Sequence, residues 1–251
     1  MARVTSIFSI EGTIGELTFY RHRNGKHFVR GKSSLTKERV ASDSAFERTR
    51  ENSREFADLN RAGKLIRQGC RALLLLAKDP KLLQRMVKVL MQVKAQDLAS
   101  ERGKRSVAKG LLTAEGRRLL TGFDFNSRST LGSVLLCQYV LESDYVLGLP
   151  SLVPATMLQY PKAATHVAFQ TGLLEVDFEQ GSTVLRCSSI QQLPLDLSPI
   201  DLKISLDHTP SDSSISFWML LVEFLQEVNG ALYPLHDQSY NALTVVDVAS
   251  Q

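Results

Sequence analysis

The sequence predicts an α+β fold, in which an N-terminal β-hairpin and a basic helical hairpin are followed by an antiparallel β-sandwich. Three observations lead to this prediction: an Asn-Gly pair at Asn24-Gly25, a helical apolar period between residues 44 and 100, and short apolar runs separated by turn residues after residue 129. We place the strand and hairpin in 1–36, the basic helical region in 37–128 and the acidic all-β domain in 129–251.

The first element is a hairpin, because Asn24-Gly25 stands between segments rich in aromatic and β-branched residues. An Asn-Gly pair is typical of a two-residue turn in which both central residues adopt positive φ. That turn would pair Tyr20 with Val29 and His22 with His27. Two facing histidines are fewer than the three or four ligands of a typical zinc site, so we predict no metal here.

Two amphipathic helices are expected next. Ser44 and Glu47 fit a capping box at the start of the first helix, which we extend to about Lys78. Asp79-Pro80 predicts the start of the second helix, which continues to about Ser100. Because only a short turn separates them, we expect the helices to pack antiparallel.

Short strands are expected in the last 123 residues, where turn signals such as Asn229-Gly230 interrupt the apolar runs. This spacing favours an antiparallel sandwich. The predicted strands lie near 132–140, 163–170, 173–178, 182–187, 200–206, 214–226, 231–235 and 242–248.

Composition indicates an ordinary globular chain, with 43% hydrophobic and 22% charged residues among 251. The apolar runs Ala72–Ala77 and Phe217–Val222 are far shorter than the roughly 20 residues of a membrane helix. The N-terminus lacks the apolar core of a signal peptide. Cys70, Cys137 and Cys187 have neither metal-site nor disulfide-framework spacing, so we interpret them as reduced, mostly buried thiols of a cytoplasmic protein.

Several blocks of the sequence resemble a family of Bacteroidota proteins that has no assigned activity. The blocks are spread over most of the chain: Gly12–Gly15, Phe19-Tyr20, Asn24–Lys26, Val29–Lys32, Phe46–Asn52 with Phe56, Gly122–Asn126, Ala164–His166, Asp177–Glu179, Leu232–Leu235 and Asn241–Leu243. The resemblance implies a bacterial, non-secreted protein.

Catalytic motifs are not evident in the sequence. Gly103-Lys104-Arg105 lacks the upstream Gly and the following Ser or Thr of a phosphate-binding loop. His208 follows Asp207, but no nucleophile with a recognisable elbow accompanies them. We therefore predict a protein that is not an enzyme and that uses no cofactor, metal or small-molecule substrate.

Charge is divided sharply along the chain. Residues 1–128 hold 27 Lys+Arg and 13 Asp+Glu, a net charge of +14, whereas residues 129–251 hold 3 and 13, a net charge of −10. An excess of this size repels itself unless a partner offsets it. Helices that fold onto the sandwich within one subunit would be one such offset.

Our first hypothesis is self-assembly, in which the basic half of one copy contacts the acidic half of the next and forms a ring or a filament. The alternative is sequence-independent nucleic-acid binding by the basic helical region. Both use the same predicted interface: Arg61, Lys64, Arg67, Arg71, Arg102, Lys104, Arg105, Lys109, Arg117 and Arg118. We also predict a segment that adds as a strand to a neighbouring copy, through Val4, Ser6, Phe8 and Ile10.

Overall fold

A computed structural model describes residues 2–3, 10–32, 35–208 and 214–250 of the chain. It divides into two compact units, Met1–Asn52 and Ser53–Gln251. The first unit contains a four-stranded antiparallel sheet in the order β1-β4-β3-β2. Its strands and first helix are β1 (Ala2–Arg3), β2 (Gly12–Ile14), β3 (Leu17–Arg21), β4 (His27–Gly31) and α1 (Lys37–Ser42).

The β3–β4 turn confirms the hairpin, but its predicted register is wrong by one residue. The amide of Gly25 donates to the carbonyl of His22, and the amide of His22 donates to the carbonyl of Lys26, both at 2.9 Å. Gly25 has φ +79°, whereas Asn24 is not in the positive-φ region. The loop therefore has three residues, with a single left-handed position. The observed cross-strand pairs are Phe19–Val29, Tyr20–Phe28 and Arg21–His27.

Helix α2 (Glu47–Gly69) begins after a short 3₁₀ turn at Ser44–Phe46. The predicted capping box is wrong, because Asp43 rather than Ser44 accepts the first amide, that of Ala45, at 2.9 Å. An aspartate one residue upstream provides a better acceptor for a turn that starts at Ser44.

The second unit contains the larger part of α2, six further helices and nine strands among the described residues. In chain order they are α3 (Arg71–Leu74), α4 (Leu82–Ala95), α5 (Val107–Leu112), α6 (Ala114–Leu120), α7 (Leu131–Val134), β5 (Val140–Glu142), β6 (Val146–Leu152), α8 (Pro154–Met157), β7 (His166–Asp177), β8 (Ser182–Cys187), β9 (Gln191–Pro194), β10 (Ile200–Ser205), β11 (Ile215–Val228), β12 (Ala231–Pro234) and β13 (Ala242–Ser250).

Two antiparallel sheets form the C-terminal part of this unit, as predicted. One has six strands, with β12, β11, β7 and β8 in order, β13 beside β11, and β9 beside β7. The other has three strands in the order β10-β6-β5. The α+β fold class, with its N-terminal hairpin, helical hairpin and antiparallel sandwich, is therefore confirmed.

Alternation along β11 shows that the six-stranded sheet is covered on both faces. Met219 and Leu221 pack into a core shared with the helices, whereas Leu220 and Val222 pack into a second core shared with the three-stranded sheet. Because successive strand residues point to opposite faces, the helices and the small sheet lie on opposite sides of the large one. The unit has three layers, with the six-stranded sheet in the middle.

The helical hairpin formed by α2 and α4 is confirmed. A Cβ on Gly63 would meet the side chain of Leu90 at 3.1 Å, and Arg67 contacts the sulfur of Met86 at 3.6 Å. The contact positions rise along α2 as they fall along α4, so the two helices are antiparallel.

Several strand boundaries differ from prediction. The run at 132–140 instead contains α7 and ends in the short strand β5, because a short apolar run fits a helix or a strand equally well. The strands predicted at 163–170 and 173–178 are one strand, β7, and neither β6 nor β9 was predicted. The second Asn-Gly turn is confirmed, since Asn229 and Gly230 have φ of 53° and 78° and join β11 to β12.

None of the described helices combines the length and apolar composition that crossing a bilayer requires. All three cysteines are free thiols. Only Cys70 is buried, since Cys137 is half-buried and Cys187 is exposed, so the prediction of mostly buried thiols holds for one of the three.

Candidate interface on the helical layer

The helical layer, defined as residues 53–128, presents many cations to solvent. Twelve of its lysines and arginines are exposed: Arg54, Arg61, Lys64, Arg71, Lys78, Lys81, Lys88, Arg102, Lys104, Lys109, Arg118 and Arg128. Its exposed carboxylates are Glu101 and Glu115. The exposed cations outnumber the exposed carboxylates by 12 to 2, against 17 to 7 in the sequence of the layer, because most of its acids have internal roles.

Glu55 is the first of these internal acids, and it is 6% exposed. Its carboxylate accepts from Nζ of Lys94 at 2.5 Å and from the amide of Gly103 at 2.7 Å. Burial opposes ionisation of Glu55, but these donors outweigh it and lower its pKa. Glu55 thereby joins α2 to α4 and fixes the loop that carries Arg102 and Lys104.

Asp97 supports the same loop from its other end. Its two carboxylate oxygens accept from the amides of Ser100 and Ser106 at 3.0 and 3.1 Å. Burial again opposes ionisation, and the hydrogen bonds from Ser106 and Ser100 outweigh it, so the pKa of Asp97 is lowered. Two buried carboxylates thus hold the basic loop in place.

Asp79 serves the start of α4 and the segment Gly122–Asn126. It accepts from the amide of Lys81 at 2.7 Å, from the amide of Ser127 at 3.0 Å and from Arg85 at 2.9 Å. Burial opposes its ionisation, but these donors outweigh the effect and lower the pKa of Asp79 to about 2. An anion held this firmly does little to neutralise the cations of the surface.

Arg85 uses its remaining hydrogens to hold the segment Gly122–Asn126. It donates to the carbonyls of Asp124 and Phe125 at 2.7 and 2.9 Å, and its guanidinium lies 5.3 Å from the ring centre of Phe123. The segment pairs with the edge of β13, since the amides of Gly122 and Phe125 donate to carbonyls of that strand. This block of the family resemblance therefore has a structural role, which sequence inspection did not assign.

Seven of the ten predicted interface residues are exposed on the helical layer. They are Arg61, Lys64, Arg71, Arg102, Lys104, Lys109 and Arg118. Arg61 and Lys109 come from different helices but line the same cavity of about 190 Å³, with Asp58 and Glu179 beside them. The structure thus brings cations of α2 and α5 together.

The other three predicted residues are half-buried. Arg117 donates to the carbonyls of Leu111 and Leu112 at 3.2 and 2.9 Å and to the hydroxyl of Ser250 at 2.6 Å. Arg67 is half-buried, and burial lowers its pKa. Arg105 has its Nε inside the layer. The interface hypothesis therefore depends mainly on the seven exposed residues.

The three-stranded sheet and its connecting loops carry the opposite charge. Their exposed carboxylates are Glu142, Asp144, Asp196, Asp201 and Asp207. The cation among them is Lys203, which pairs with Glu142 at 2.8 Å. This acidic layer lies on the far side of the six-stranded sheet from the helical layer, so the unit has a basic face and an acidic face.

Within the described ranges, the ion pairs Arg85–Asp79, Lys94–Glu55 and Lys104–Glu101 lie inside the helical layer itself. The helices do fold onto the large sheet, but the contact between them is apolar and includes Leu73, Leu174 and Met219. Apolar packing therefore joins these layers, and charges of the two halves meet at its margin, where Glu179 lines the same cavity as Arg61 and Lys109.

His208 contacts Glu175 rather than its neighbour Asp207. The distance from Nε2 of His208 to Oε1 of Glu175 is 2.6 Å, and Ser214 lies 3.3 Å from the other carboxylate oxygen. The carboxylate stands between the hydroxyl and the imidazole, whereas a serine nucleophile needs the imidazole in the middle. This arrangement lacks the order of a catalytic triad.

The remaining predicted features lie in the first unit. His22 and His27 do not face each other, since His27 pairs with Arg21. Among the described residues, no group of three or more His, Cys, Asp or Glu side chains could hold a metal ion. Of the predicted strand-addition segment, Ile10 is exposed, whereas Val4, Ser6 and Phe8 lie outside the described residues.

Comparison with known proteins adds no relative. No family model matches the chain, and neither the curated proteins nor the solved structures contain a significant match. Membership of the Bacteroidota family remains a prediction from the resemblance.

Proposed function

We propose that this protein is a non-enzymatic structural protein of the bacterial cytoplasm that assembles head to tail with other copies of itself. The single observation that carries the proposal is the placement of a basic face and an acidic face on opposite sides of the second unit. When two copies make a contact between a basic and an acidic face, one basic face and one acidic face stay unpaired at the ends of the pair. Further copies can bind there, so the contact repeats into a ring or a filament.

Electrostatic complementarity supports this contact better than neutralisation within the subunit. The exposed cations of the helical layer have few exposed carboxylates beside them, and the acidic layer has little besides Lys203 to offset it. Each face therefore carries an excess of one charge and is suited to the opposite face of another copy. The predicted strand addition near Ile10 would be a second contact in the same assembly.

Light scattering after size exclusion, on nuclease-treated protein, tests the proposal. The screening length falls from about 10 Å at 0.1 M salt to about 3 Å at 1 M. We expect particles larger than a monomer at low salt that dissociate at high salt. Monomers at both salt concentrations would contradict self-assembly.

Charge reversal identifies the faces. The double variant Arg61→Glu, Lys109→Glu should remain monomeric, as should Asp144→Lys, Asp207→Lys on the acidic face. Mixing the two variants should restore association, because each supplies the charge that the other now lacks. The matched control is Lys162→Glu, Arg186→Glu, which makes the same change in net charge outside the helical layer and should leave assembly intact.

Sequence-independent nucleic-acid binding by the helical layer is the second candidate. It is favoured by the excess of exposed cations over the five exposed carboxylates of the acidic layer. Phosphates would offset this excess, and affinity for duplex DNA would fall by about 0.9 log units per log unit of salt for each phosphate contacted. If the protein is a monomer that binds duplex DNA, and if the double variant Arg61→Glu, Lys109→Glu no longer binds it, this candidate is favoured over assembly.

A further inference from the structure

The sheet of the first unit is open to an unusual degree. Among residues Ile10–Lys32 none is buried, although the strands carry four aromatic or β-branched side chains at their centre. A small sheet usually needs one face packed on something to be stable in water. The two faces differ in chemistry, and the observed register decides which side chains each one displays.

One face is apolar at its centre. Phe19 and Val29 are directly opposite each other, with Leu17 two residues before Phe19 on the same face and Ile14 opposite Leu17. The pair Arg21 and His27 follows on this face, towards the hairpin turn. These are aliphatic or aromatic side chains, and the exposed fraction reaches 60% at Ile14. This composition is typical of contact with protein.

The other face combines aromatic rings with cations. Tyr20 and Phe28 are directly opposite, and their rings are stacked with centroids 6.1 Å apart. The guanidinium of Arg30 lies 5.5 Å from the ring centre of Tyr20, and the imidazole of His22 meets the ring of Phe28 edge-on at 5.9 Å. We call these four residues the aromatic strip.

The surroundings of the aromatic strip are mostly basic or neutral. Thr13 and Thr18 are on this face, with hydroxyls 3.2 Å apart, and Arg3 of β1 is opposite Phe28 in the register. Beyond His22 the hairpin tip carries Arg23 and Lys26, both exposed. Carboxylates are absent from the described strand residues on this face, and the nearest in register is Glu11, which precedes β2 and lies opposite Tyr20.

We infer that the aromatic strip binds single-stranded nucleic acid without sequence preference. Rings on a sheet surface stack with unpaired bases, which every nucleotide offers, and arginine beside them contacts the phosphates. A duplex exposes its phosphates but keeps its bases stacked inside, so it would contact the cations of the strip and not stack on the rings. An acidic peptide would likewise satisfy Arg30 and leave Tyr20 and Phe28 unused.

This inference does not depend on the proposed assembly, because it concerns the first unit. Fluorescence anisotropy of a labelled oligothymidylate of about 12 nucleotides, mixed with the full-length chain, measures the binding. Tyr20→Leu and Phe28→Leu keep an apolar side chain in the strand but remove the ring. Each should weaken binding about tenfold, since a base–aromatic stack contributes roughly 1–3 kcal/mol and 1.4 kcal/mol is tenfold.

Phe19→Leu is the matched control, because it removes a ring from the same strand on the opposite face, and its binding should equal that of the parent chain. Arg30→Gln should also reduce the slope of log affinity against log salt concentration by about 0.7, which is the contribution of one phosphate on a single strand. Circular dichroism of each variant checks that the fold is retained.

Three results would overturn the inference. Equal binding by the parent, Tyr20→Leu and Phe28→Leu would show that the rings make no contact with bases. Equal competition by duplex DNA, abolished in Arg61→Glu, Lys109→Glu, would assign binding to the helical layer. Equal competition by polyglutamate would show that the face recognises negative charge alone, and that its partner is an acidic protein.

Discussion

Glu55 and Lys94 form an ion pair at 2.5 Å inside the helical layer, with side chains 7% and 18% exposed. The pair joins α2 to α4, and the second oxygen of Glu55 accepts the amide of Gly103. One carboxylate therefore fixes the packing of the helical hairpin and the path of the basic loop that follows it. The functional hypothesis depends on this link, because it positions the exposed cations of that loop.

We expect Glu55→Gln to destabilise the protein by about 2–4 kcal/mol, because Lys94 would then be a largely buried charge without its partner. Urea unfolding followed by circular dichroism measures this difference. The double variant Glu55→Gln, Lys94→Met should lose less unfolding free energy than the sum of the two single variants, since it leaves no unpaired charge. Glu101→Gln, in an exposed pair with Lys104, is the control and should leave the unfolding midpoint unchanged; strict additivity would contradict a coupled pair.

Asp79 should make the stability of the protein sensitive to acid. Its pKa is about 2 in the folded state and 3.8 in the unfolded chain, so the ionised form contributes about 2 kcal/mol above pH 4. That contribution falls as the pH drops from about 4 towards 2. Asp79→Asn should therefore be less stable than the parent at pH 7, and the difference should shrink at pH 3. Urea titrations at both pH values check this, and a difference independent of pH would assign the effect to packing.

Gly110 and Gly116 should tolerate no side chain. A Cβ on Gly110 would overlap the carbonyl of Val93 in α4, and a Cβ on Gly116 would overlap the carbonyl of Gly110. Gly110→Ala and Gly116→Ala should each cost about 1–3 kcal/mol, because the helices would have to separate. Gly132→Ala is the matched control, since nothing lies within 4 Å of its Cβ, and alanine there should be neutral or slightly stabilising. Thermal unfolding of the three variants separates these outcomes.

The three thiols should react with iodoacetamide in order of exposure. Cys187 is exposed and should react first, followed by half-buried Cys137. Cys70 is fully buried, and burial raises its pKa to about 12, so it should react only after unfolding. Mass spectrometry of time points, with and without urea, checks the order. Early modification of Cys70 in the folded protein would contradict its burial in the core beneath the helices.

The two Asn-Gly turns show how far local sequence determined the fold. At Asn229-Gly230 both residues adopt positive φ and the predicted two-residue hairpin is present. At Asn24-Gly25 only the glycine does, because the side chain of Asn24 accepts the amide of Lys26 at 3.1 Å and the loop gains a residue. The same dipeptide thus supports two loop lengths, and a shift of one residue exchanged the faces of the sheet.

The candidate interface was only partly predictable for a related reason. The sequence showed the charge imbalance, but charge counting treats every residue as exposed. A carboxylate that pairs with a buried lysine, as Glu55 does, does not offset the exposed cations, whereas exposed Glu115 does. This pairing is a tertiary contact, which charge counting along the sequence does not show. The aromatic strip was missed because the predicted register paired Tyr20 with Val29 rather than with Phe28.

The buried acids of the helical layer also decide how its surface responds to its medium. With Glu55, Asp79 and Asp97 enclosed in the layer, the charges left outside are mostly lysines and arginines. Salt screens exposed charges over about 8 Å at physiological ionic strength. A partner attracted to this face would therefore be released by added salt or by a competing polyanion.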